Sequence, residues 1–441
     1  MSTLMPAAVH WATLDEDTKS ALLRRPAQAA ALEVEQTVRD IISRVRAEGD
    51  RAVLELCLEH DRASLNSLRV SPEELEASSD ALSPEQRQAV TRAIANVRRF
   101  HEAQRPQPLR VETVPGVVCE RLAVPIDSVG LYVPAGSAPL PSSALMLAVP
   151  ATLAGCGKVV LCSPPRRDGQ LDPGVLFTAR ECGVTEIYKA GGAQAIAAMA
   201  YGTDTIPKVD KIFGPGNAWV TAAKVQVAAD PEGAAYDMPA GPSEVMVVAD
   251  ETADPDFVAS DLLAQAEHSP DAQAVLVSTC PRLVTEVLGA LEVQLDRLSR
   301  PGIVRAALAN SRLVLVEDLE TAITVANRYA PEHLILQVRE PRRWLPGLRT
   351  AGSVFLGPWT PEAMGDYCSG TNHVLPTYGY ARAHSGLSLG SFMREMTVQH
   401  ITADGLLGLG PTAVTLAMME GLDAHASSVS ARLNKLAGGI E

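Results

Sequence analysis

Two short segments in the second half of the chain hold residues that could bind a metal ion or transfer a proton. Gln265 and His268 are three positions apart, which places both on one face if the segment is helical. Glu332 and His333 are adjacent and precede an apolar run, and an imidazole that titrates near neutral pH suits proton transfer. The alternative for His268 is a surface or capped histidine. The alternative for Glu332 and His333 is a polar helix-to-strand junction with no chemical role.

A glycine-punctuated polar loop and the junction between two C-terminal helices carry further candidates. Asp366 and His373 lie in that loop, and either could bind a metal ion; their spacing does not choose between them. Glu420 and His425 lie at the helix junction, where acidic residues are also typical of caps and solvated charges. The H-E-x-x-H zinc motif is absent from the sequence.

Three glycine-containing loops follow predicted strands and could bind a phosphate-bearing cofactor. They contain Tyr132, Gln194 and Asn217, and the last two open predicted helices. Helix N-termini offer free N–H groups and a partial positive charge to phosphates. Ligands of open α/β sheets bind in a crevice at such strand ends, so the loops could line one crevice. Plain tight turns and a buried tyrosine are the structural alternatives.

One segment matches a dinucleotide-binding fingerprint, and one cysteine could be imagined as an aldehyde-trapping thiol. Residues 408–413 read Gly-Leu-Gly-Pro-Thr-Ala, but no strand precedes them. We therefore interpret them as a flexible loop that enters a helix and not as a cofactor site. Cys156 lies in a largely apolar setting, which favours a buried, unreactive cysteine.

The elements that must position these residues change in character along the chain. The first hundred residues show helical spacing, with Ser-Pro helix starts at Ser71 and Ser83. After a proline-rich connector at 106–117, β-branched runs alternate with helical stretches, which predicts parallel sheets. The predicted strands are 128–133, 158–162, 186–188, 211–213, 245–248, 274–277, 313–316, 333–338 and 353–356. The other predictions are a cut between two sheets at 229–242, a loop at 365–390 and closing helices near 411–420 and 424–436.

Composition and charge limit the classes of function. The formal net charge of −14 provides no basic surface for nucleic acid and disfavours anionic membranes. The seven cysteines include no C-x-x-C pair, which argues for reduced thiols and against a cysteine zinc cluster. No apolar stretch is long enough to span a membrane, and the N-terminus lacks the pattern of a secretory signal. We therefore expect a cytoplasmic protein with no nucleic-acid or membrane partner.

The candidate motifs together resemble the histidinol dehydrogenase family, from about Val34 to Leu436. The matching segments are 130–136, 191–194, 213–217, 240–244, 265–268, 330–333, 365–366, 369–373 and 420–425. Each segment is short, but their order and spacing are specific in combination. No residue departs from the family pattern at a position that the family uses for chemistry.

The resemblance implies an α/β fold of the aldehyde-dehydrogenase-like class, with two Rossmann-like parallel-sheet domains, a helical N-terminal segment and a C-terminal arm. The implied parts are a first α/β domain with the zinc and catalytic residues (30–112 with 243–378), a second α/β domain on the NAD side (130–240), small linking segments (1–29 with 113–129) and a dimer-swapped C-terminal arm (380–441).

The resemblance also implies roles for single residues. The positions that align with ligands of one Zn²⁺ per subunit, and that also touch the substrate, are Gln265, His268, Asp366 and His425. His333 aligns with a substrate-contacting base that takes the alcohol proton, and Glu332 aligns with the group that activates water. Ser243 and Glu420 resemble further substrate contacts. The positions that match NAD contacts are Tyr132, Gln194 and Asn217.

The implied reaction oxidises L-histidinol through L-histidinaldehyde to L-histidine, with two NAD reduced. The family is an interlocked homodimer, in which Glu420 and His425 would serve the partner's active site; an arm that packs on its own chain is the alternative. A related alternative function is the oxidation of another small alcohol such as a sulfonated diol, although the acidic Glu420 favours a cationic substrate. Alternatives from other classes are a zinc hydrolase without a nucleotide and a catalytically silent binding protein.

Overall fold

The computed structural model describes residues 4–25, 31–135, 139–239 and 241–438. Gly136 and Ala240 of the sequence motifs lie outside the described residues, as do parts of the predicted segments 1–29 and 380–441. The strands in the described ranges are β1 Val9–His10, β2 Leu109–Val114, β3 Val117–Pro125, β4 Ser128–Tyr132, β5 Lys158–Ser163, β6 Glu186–Lys189, β7 Lys211–Phe213, β8 Ala235–Tyr236, β9 Glu244–Ala249, β10 Gln273–Ser278, β11 Arg312–Leu315, β12 His333–Gln337, β13 Ser353–Leu356 and β14 Met393–Ile401.

The α-helices in the same ranges are α1 Glu16–Leu22, α2 Ala31–Glu48, α3 Asp50–Leu56, α4 Pro72–Ala77, α5 Pro84–Glu102, α6 Pro141–Ala154, α7 Pro173–Glu181, α8 Gly192–Tyr201, α9 Ala218–Ala228, α10 Pro255–Ala266, α11 Pro281–Leu295, α12 Pro301–Ala309, α13 Leu319–Tyr329, α14 Glu362–Tyr367, α15 Ala403–Met419 and α16 Asp423–Ala437. Short 3₁₀ segments are Trp11–Thr13, Pro341–Gly347, Tyr380–Arg382 and Leu389–Phe392, and Cys57–Asp61 is a π-helical turn.

Local capping signals explain where α4 and α5 begin. The hydroxyls of Ser71 and Ser83 accept hydrogen bonds from the backbone N–H groups of Glu74 and Gln86. The Glu74 and Gln86 side chains accept in turn from the N–H groups of the two cap residues. Each pair forms a capping box, which satisfies two N–H groups that a helix start leaves without partners. Both predicted helix starts are confirmed.

A five-stranded parallel sheet follows the order β6-β5-β4-β7-β8. The chain moves outward from β4 through β5 to β6 and then returns to the other side of β4 with β7. The order therefore reverses between β4 and β7, and ligands of open α/β sheets bind outside the carboxyl ends of the strands at such a point.

A six-stranded parallel sheet follows the order β1-β11-β10-β9-β12-β13 and reverses between β9 and β12. Strands β9 and β10 have no exposed residue, because helices cover the sheet. All nine strands predicted from β-branched runs are present, within one or two residues of their predicted bounds. The α/β class with two parallel sheets is confirmed. The two-residue strands β1 and β8 were not predicted, because they are too short to show a pattern.

The helices between residues 31 and 104 pack beside the five-stranded sheet. Val38 and Val45 of α2 are buried in one apolar core with Ile196 of α8 and Val220 of α9. The family resemblance implied a domain that groups 30–112 with 243–378, whereas these apolar faces belong to the core of the five-stranded sheet. The four-part domain division as such stays a prediction.

The chain separates into two compact units, and both parallel sheets lie within the first. The first unit is Met1–Gln104 with Asp127–Phe392, and the second is Arg105–Ile126 with Met393–Glu441. The second unit contains helices α15 and α16 and an antiparallel sheet in the order β14-β3-β2.

Three predictions within the second unit were wrong. The connector at 106–117 contains β2, and residues 393–401, where no strand was predicted, form β14. Leu109 and Val111 alternate with Arg110 and Glu112 in β2, a strand signal that the prolines of the connector obscured. Residues 408–413 lie inside α15 and not in a loop before a helix, although their exclusion as a cofactor turn agrees with that position. None of the helices in the described residues is both long and apolar enough to cross a bilayer.

Candidate active site

A cleft of about 1260 Å³ opens in the first unit between loops of the two parallel sheets. Tyr132, Gln194 and Asn217, the three residues that the sequence placed in strand-end loops, all line this cleft. His268 and Tyr367 line it from the side of the six-stranded sheet. The cleft thus brings the predicted cofactor loops and one predicted zinc ligand to the same space.

The carboxyl edge of the five-stranded sheet, formed by the loops after β4, β6 and β7, is held by close backbone contacts. The Tyr132 hydroxyl accepts a hydrogen bond of 3.0 Å from the Gly192 N–H. Gly214 has φ +128°, and a Cβ on it would lie 2.1 Å from the Tyr132 carbonyl oxygen. Only glycine therefore allows the loop after β7 to lie against the end of β4.

A buried ion pair between Lys224 and Asp237 also fixes the loop after β7. Lys224 Nζ lies 2.5 Å from Asp237 Oδ1 and donates to the Gly214 carbonyl at 2.6 Å. Asp237 Oδ2 accepts from the Gly214 N–H at 2.8 Å. Asn217 then caps α9, with its side-chain oxygen accepting from the Val220 N–H at 3.2 Å. These contacts fix the loop after β7 beside the N-terminus of α9, and the loop after β5 adds Arg166 and Arg167 to the lining of the cleft.

The amino edge of the six-stranded sheet, formed by the residues at the starts of β9 and β12, carries the ionisable groups. Glu332 and His333 are 5% and 3% exposed. The Glu332 carboxylate accepts a hydrogen bond of 2.9 Å from the Glu244 N–H. His333 Nδ1 lies 3.3 Å from the Glu244 carbonyl oxygen, and Nε2 lies 3.4 Å from Asp366 Oδ1. The adjacent acid and imidazole of the sequence are thus fixed by one neighbouring strand.

Glu362 is a site residue that the sequence analysis missed. Its Oε1 lies 3.8 Å from His333 Nδ1, and its Oε2 is buried with no hydrogen-bond partner among the described residues. It begins α14, four positions before Asp366, so both carboxylates lie on one helical face. The sequence predicted a loop from Gly365 onward, whereas α14 continues to Tyr367; Pro361 just before Glu362 was the sign of a helix start that could have found it.

The donors near His333 fit a metal ion. Ligand atoms of His268, Glu362 and Asp366 all lie within 4.8 Å of one another. Gln265 is fully buried, and neither its Oε1 nor its Nε2 has a hydrogen-bond partner in the described part of the chain. A buried amide without partners is costly, and a metal ion or a bound ligand would supply the missing interaction. Nitrogen and oxygen donors of this kind suit zinc.

One detail of the sequence argument was wrong. Helix α10 ends at Ala266, so His268 follows the helix and does not share a helical face with Gln265. Burial lowers the pKa of His268 although Asp366 opposes the effect, and the neutral imidazole that metals bind is therefore favoured. The turn after α10, and not helical spacing, brings His268 next to Asp366.

The charges around His333 shift several pKa values. Burial would lower the pKa of His333, but the carboxylates of Glu362 and Glu332 outweigh it and raise that pKa well above its usual value. Burial raises the pKa of Glu332 and of Glu362 to about 8 in each case, with His333 opposing. Burial would raise the pKa of Asp366 too, yet the hydrogen bond and charge of His333 hold it below its usual range. The amino edge therefore strongly favours a cation.

Comparisons with known proteins show the family to which the chain belongs. The sequence profile of the histidinol dehydrogenase family matches residues 23–433. The chain belongs to this family. A histidinol dehydrogenase of Vibrio parahaemolyticus is 54% identical over 428 residues, covering 97% of this chain and 98% of that protein. One of Xanthomonas campestris is 56% identical over 423 residues, covering 96% and 98%. The crystal structure of histidinol dehydrogenase from Elizabethkingia anophelis superposes with a TM-score of 0.95 at 44% identity, covering 99% of each chain.

Further motif residues of the family take defined positions in the first unit. Ser243 directly precedes β9 at the amino edge, and its carbonyl accepts from the Gln273 N–H. His373 lies 2.8 Å from the Asp366 carbonyl oxygen through Nδ1 and 3.2 Å from the Ser143 hydroxyl through Nε2. Both His373 nitrogens thus have partners, whereas Asp366 belongs to the metal-compatible cluster. These contacts favour Asp366 over His373 as the candidate ligand, and the assignment stays a prediction.

Two predicted site residues belong to the second unit. Glu420 is the C-cap residue of α15, and His425 lies in the first turn of α16. Both side chains are exposed. Their assigned roles as a substrate contact and a metal ligand stay predictions.

Proposed function

We propose that the chain is a zinc- and NAD-dependent histidinol dehydrogenase, which oxidises L-histidinol through L-histidinaldehyde to L-histidine in the last step of histidine biosynthesis. The observation that carries the proposal is the contact of His333 with Asp366, at 3.4 Å, beside the cluster of His268, Glu362 and Asp366. A proton acceptor next to a metal-compatible cluster, at the end of a cofactor-sized cleft, is what alcohol oxidation requires.

The residues that would hold one Zn²⁺ per subunit are Gln265, His268 and Asp366, with His425 as the fourth ligand. Zinc, when bound, would orient the imidazole and amino nitrogens of the substrate. The orphaned amide of Gln265 supports its assignment, because ligation would satisfy its oxygen. Glu362 would remain next to that site and add negative charge toward a cationic substrate, with Ser243 and Glu420 as further substrate contacts.

His333 is proposed as the base that takes the alcohol proton. The neighbouring carboxylates raise its pKa, and a Zn²⁺ held by His268 and Asp366 would offset their negative charge and favour the neutral imidazole that a base requires. Its Nδ1 faces the Glu244 carbonyl oxygen at 3.3 Å, so the tautomer with hydrogen on Nδ1 is favoured. Nε2 is then the atom that accepts the proton, and it faces Asp366 Oδ1 at 3.4 Å. The carboxylates of Glu362 and Glu332 stabilise the imidazolium that results.

Glu332 is proposed to activate water for attack on the aldehyde. Burial raises its pKa to about 8, which gives the carboxylate the basicity that proton removal from water needs. The hydrogen bond from the Glu244 N–H fixes one carboxylate oxygen, Oε2. The buried position of the pair also keeps bulk water from a reactive aldehyde.

The carboxyl edge of the five-stranded sheet is proposed as the NAD side, with Tyr132, Gln194 and Asn217 as contacts. NAD, when bound, would accept hydride from the substrate carbon in each of two oxidation steps. Gln194 lies in the first turn of α8, and Asn217 caps α9. Helix N-termini favour the negative pyrophosphate, which supports this side of the cleft for the nucleotide.

We also propose a cytoplasmic homodimer in which Glu420 and His425 serve the partner's site, with no nucleic-acid or membrane partner. Leu416, Met418 and Met419 at the end of α15 are 54%, 56% and 78% exposed. Grouped apolar exposure of this kind is typical of a protein interface. In the test, inactive His425→Ala and His333→Ala variants are mixed and refolded; partial recovery of activity supports shared sites, and failure to complement removes that support.

The activity is tested by following NADH absorbance after histidinol and NAD are added to zinc-loaded protein. We expect a steady rise that ends at two NADH per histidinol. No rise would overturn the proposal and leave the zinc hydrolase or the silent binding protein. A rise with a sulfonated diol but none with histidinol would point to the related alternative within the family.

A further inference from the structure

A largely buried arginine, Arg25, contacts Glu244, whose backbone fixes Glu332 and His333, the proposed catalytic pair. Arg25 donates through Nε to Glu244 Oε2 and through Nη2 to Glu244 Oε1, each at 2.7 Å. The Arg25 and Glu244 side chains are 10% and 1% exposed. Two parallel bonds between a guanidinium and a carboxylate fix both position and orientation, which a single charge contact does not.

The same guanidinium holds the end of the segment that leads to the catalytic pair. Arg25 Nη2 also donates to the carbonyl oxygens of Tyr329 at 2.8 Å and Ala330 at 3.2 Å. These carbonyls lie at the C-terminus of α13, where a helix leaves such groups without internal partners. Ala330 has φ +56°, an unfavourable conformation for a residue with a side chain, so outside contacts must hold the turn.

Glu244 connects this arginine to both catalytic residues. Its N–H donates to the Glu332 carboxylate at 2.9 Å, and its carbonyl oxygen faces His333 Nδ1 at 3.3 Å. The Tyr329 hydroxyl donates toward Glu244 Oε2 at 3.1 Å and lies 2.7 Å from Gln273 Oε1. The side chain of Glu244 is therefore held by Arg25 and Tyr329, while its backbone holds Glu332 and His333.

We propose that Arg25 is a positioning residue for the catalytic pair, acting through the Glu244 carboxylate and through the turn at Ala330. The proposal rests on the proposed function of Glu332 and His333. Loss of the guanidinium would leave the Glu244 carboxylate buried without its cation, and would free the α13 terminus. Both changes move the groups that fix the Glu332 carboxylate and the tautomer of His333.

The test compares Arg25→Met and Arg25→Lys with a matched control, Arg328→Gln. Arg328 Nη1 pairs with Glu16 at 2.7 Å, and Nη2 bonds to the Ser20 hydroxyl at 2.6 Å. Its side chain thus links α13 to the same N-terminal segment from the exposed side. No contact between that side chain and Glu244 is present, so the control loses anchoring without losing the proposed positioning.

The first readout is steady-state kinetics per folded molecule, with zinc content measured in parallel. We expect Arg25→Met to lower kcat by about tenfold or more, the usual loss for a residue that orients a site from outside it. Zinc content and the KM for NAD should stay near those of the wild type, and Arg25→Lys should recover part of kcat. Arg328→Gln should keep kcat within about twofold, as surface changes do.

The second readout is hydrogen exchange in the free protein, which needs neither substrate nor cofactor. We expect faster exchange of the backbone amides of residues 244, 329, 330, 332 and 333 in Arg25→Met than in Arg328→Gln. Equal kcat and equal exchange in these two variants would overturn the proposal. A wild type that does not oxidise histidinol would overturn the proposed function instead. The exchange measurement would still test whether Arg25 holds these backbone amides in place.

If Arg25→Met does not fold, Tyr329→Phe replaces it in both measurements. That change removes only the hydroxyl contacts with Glu244 and Gln273. It must lower kcat and speed exchange at Glu244 more than Arg328→Gln does. Values equal to those of Arg328→Gln would contradict the positioning role.

Discussion

The two parallel sheets meet the same cleft with opposite ends of their strands. The five-stranded sheet contributes its carboxyl edge, where Gln194 and Asn217 lie at the N-termini of α8 and α9. The six-stranded sheet contributes its amino edge, where Gln265 lies at the C-terminus of α10 and Glu332 follows the C-terminus of α13. Helix N-termini carry partial positive charge and C-termini partial negative charge.

This difference separates anion binding from cation binding within one cleft. The carboxyl edge offers backbone N–H groups at helix N-termini and the cationic side chains of Arg166 and Arg167, which suit phosphates. The amino edge adds the carboxylates of Glu332, Glu362 and Asp366 to helix C-termini, which suits a metal ion, an ammonium group or an imidazolium. Two sheets of the same kind thus become chemically different sites because they face the cleft with opposite polarity.

The strongest way to test this division is to remove the base at the amino edge. We expect His333→Asn to lower kcat by about 10²–10⁴-fold, because general base catalysis supplies that much. Folding and zinc content should be retained, since Asn keeps a polar group of similar size near Asp366. Initial rates of NADH formation and elemental analysis measure the two effects. Activity within a few-fold of the wild type would show that the base is another group.

The next test removes a donor of the metal-compatible cluster. We expect His268→Asn to weaken zinc binding by about a hundredfold or more, because fewer strong donors remain. Elemental analysis after dialysis gives the zinc content, and Gln104→Asn, a change outside the cluster, is the control. Stoichiometric zinc in His268→Asn would contradict the ligand assignment. NAD binding, at the other edge, should be unaffected.

The carboxyl edge is tested by a glycine that a side chain would disrupt. We expect Gly214→Ala to destabilise the protein by about 3 kcal/mol or more and to raise the KM for NAD, because Cβ would overlap the Tyr132 carbonyl oxygen. Gly155→Ala is the matched control, since Gly155 also has positive φ, +85°, but has open space around its Cβ position. The control should cost about 1 kcal/mol and leave the KM unchanged. Equal losses in urea unfolding would show that strain alone matters.

The smallest expected effect concerns His101 of α5, whose imidazole contacts the loop after α14. His101 is buried, with Nδ1 on the Val97 carbonyl oxygen at 2.8 Å and Nε2 on the Asn372 amide at 3.3 Å. Burial lowers the pKa of His101, although the Val97 hydrogen bond opposes the effect. The folded protein therefore binds this proton less readily than the unfolded chain does.

The free energy of unfolding should therefore depend on pH. The contribution of His101 to it is complete above the unfolded pKa of about 6.5. It declines as pH falls below that value toward the lowered folded pKa, by at most about 1.4 kcal/mol per pH unit. Urea unfolding of the wild type and His101→Gln at several pH values between 7.5 and 5 measures it. The variant should have the shallower pH dependence; identical slopes would exclude His101 as the source.

Much of the fold could be predicted from short-range pattern. The runs at 158–162 and 274–277 are buried strands, and Ser71 and Ser83 begin helices as capping boxes. The strands β2 and β14 were missed because most of their side chains are exposed and neither strand reads as a buried apolar run, although Leu109 and Val111 alternate with polar residues in β2. The packing of α2 beside the five-stranded sheet was not readable either, since an apolar helix face does not specify its partner.

The residues of the candidate site could likewise be predicted only in part. Residue types and motif spacing identified Glu332, His333 and Asp366 as groups able to do chemistry, and their resemblance to a family supplied roles. Glu362 was missed because its closeness to His333 arises from α14 folding back to the amino edge. The helical argument for Gln265 and His268 failed because the helix ends between them.

The sequence by itself determined the buried strands and the capped helix starts, because those depend on neighbours a few positions away. Only the tertiary structure decided that Arg25 would reach Glu244, 219 positions along the chain, and that the two sheets would face the cleft with opposite ends. Contacts of that range depend on how the whole chain closes, and their energy comes from burial and paired charge, which no local window of sequence contains.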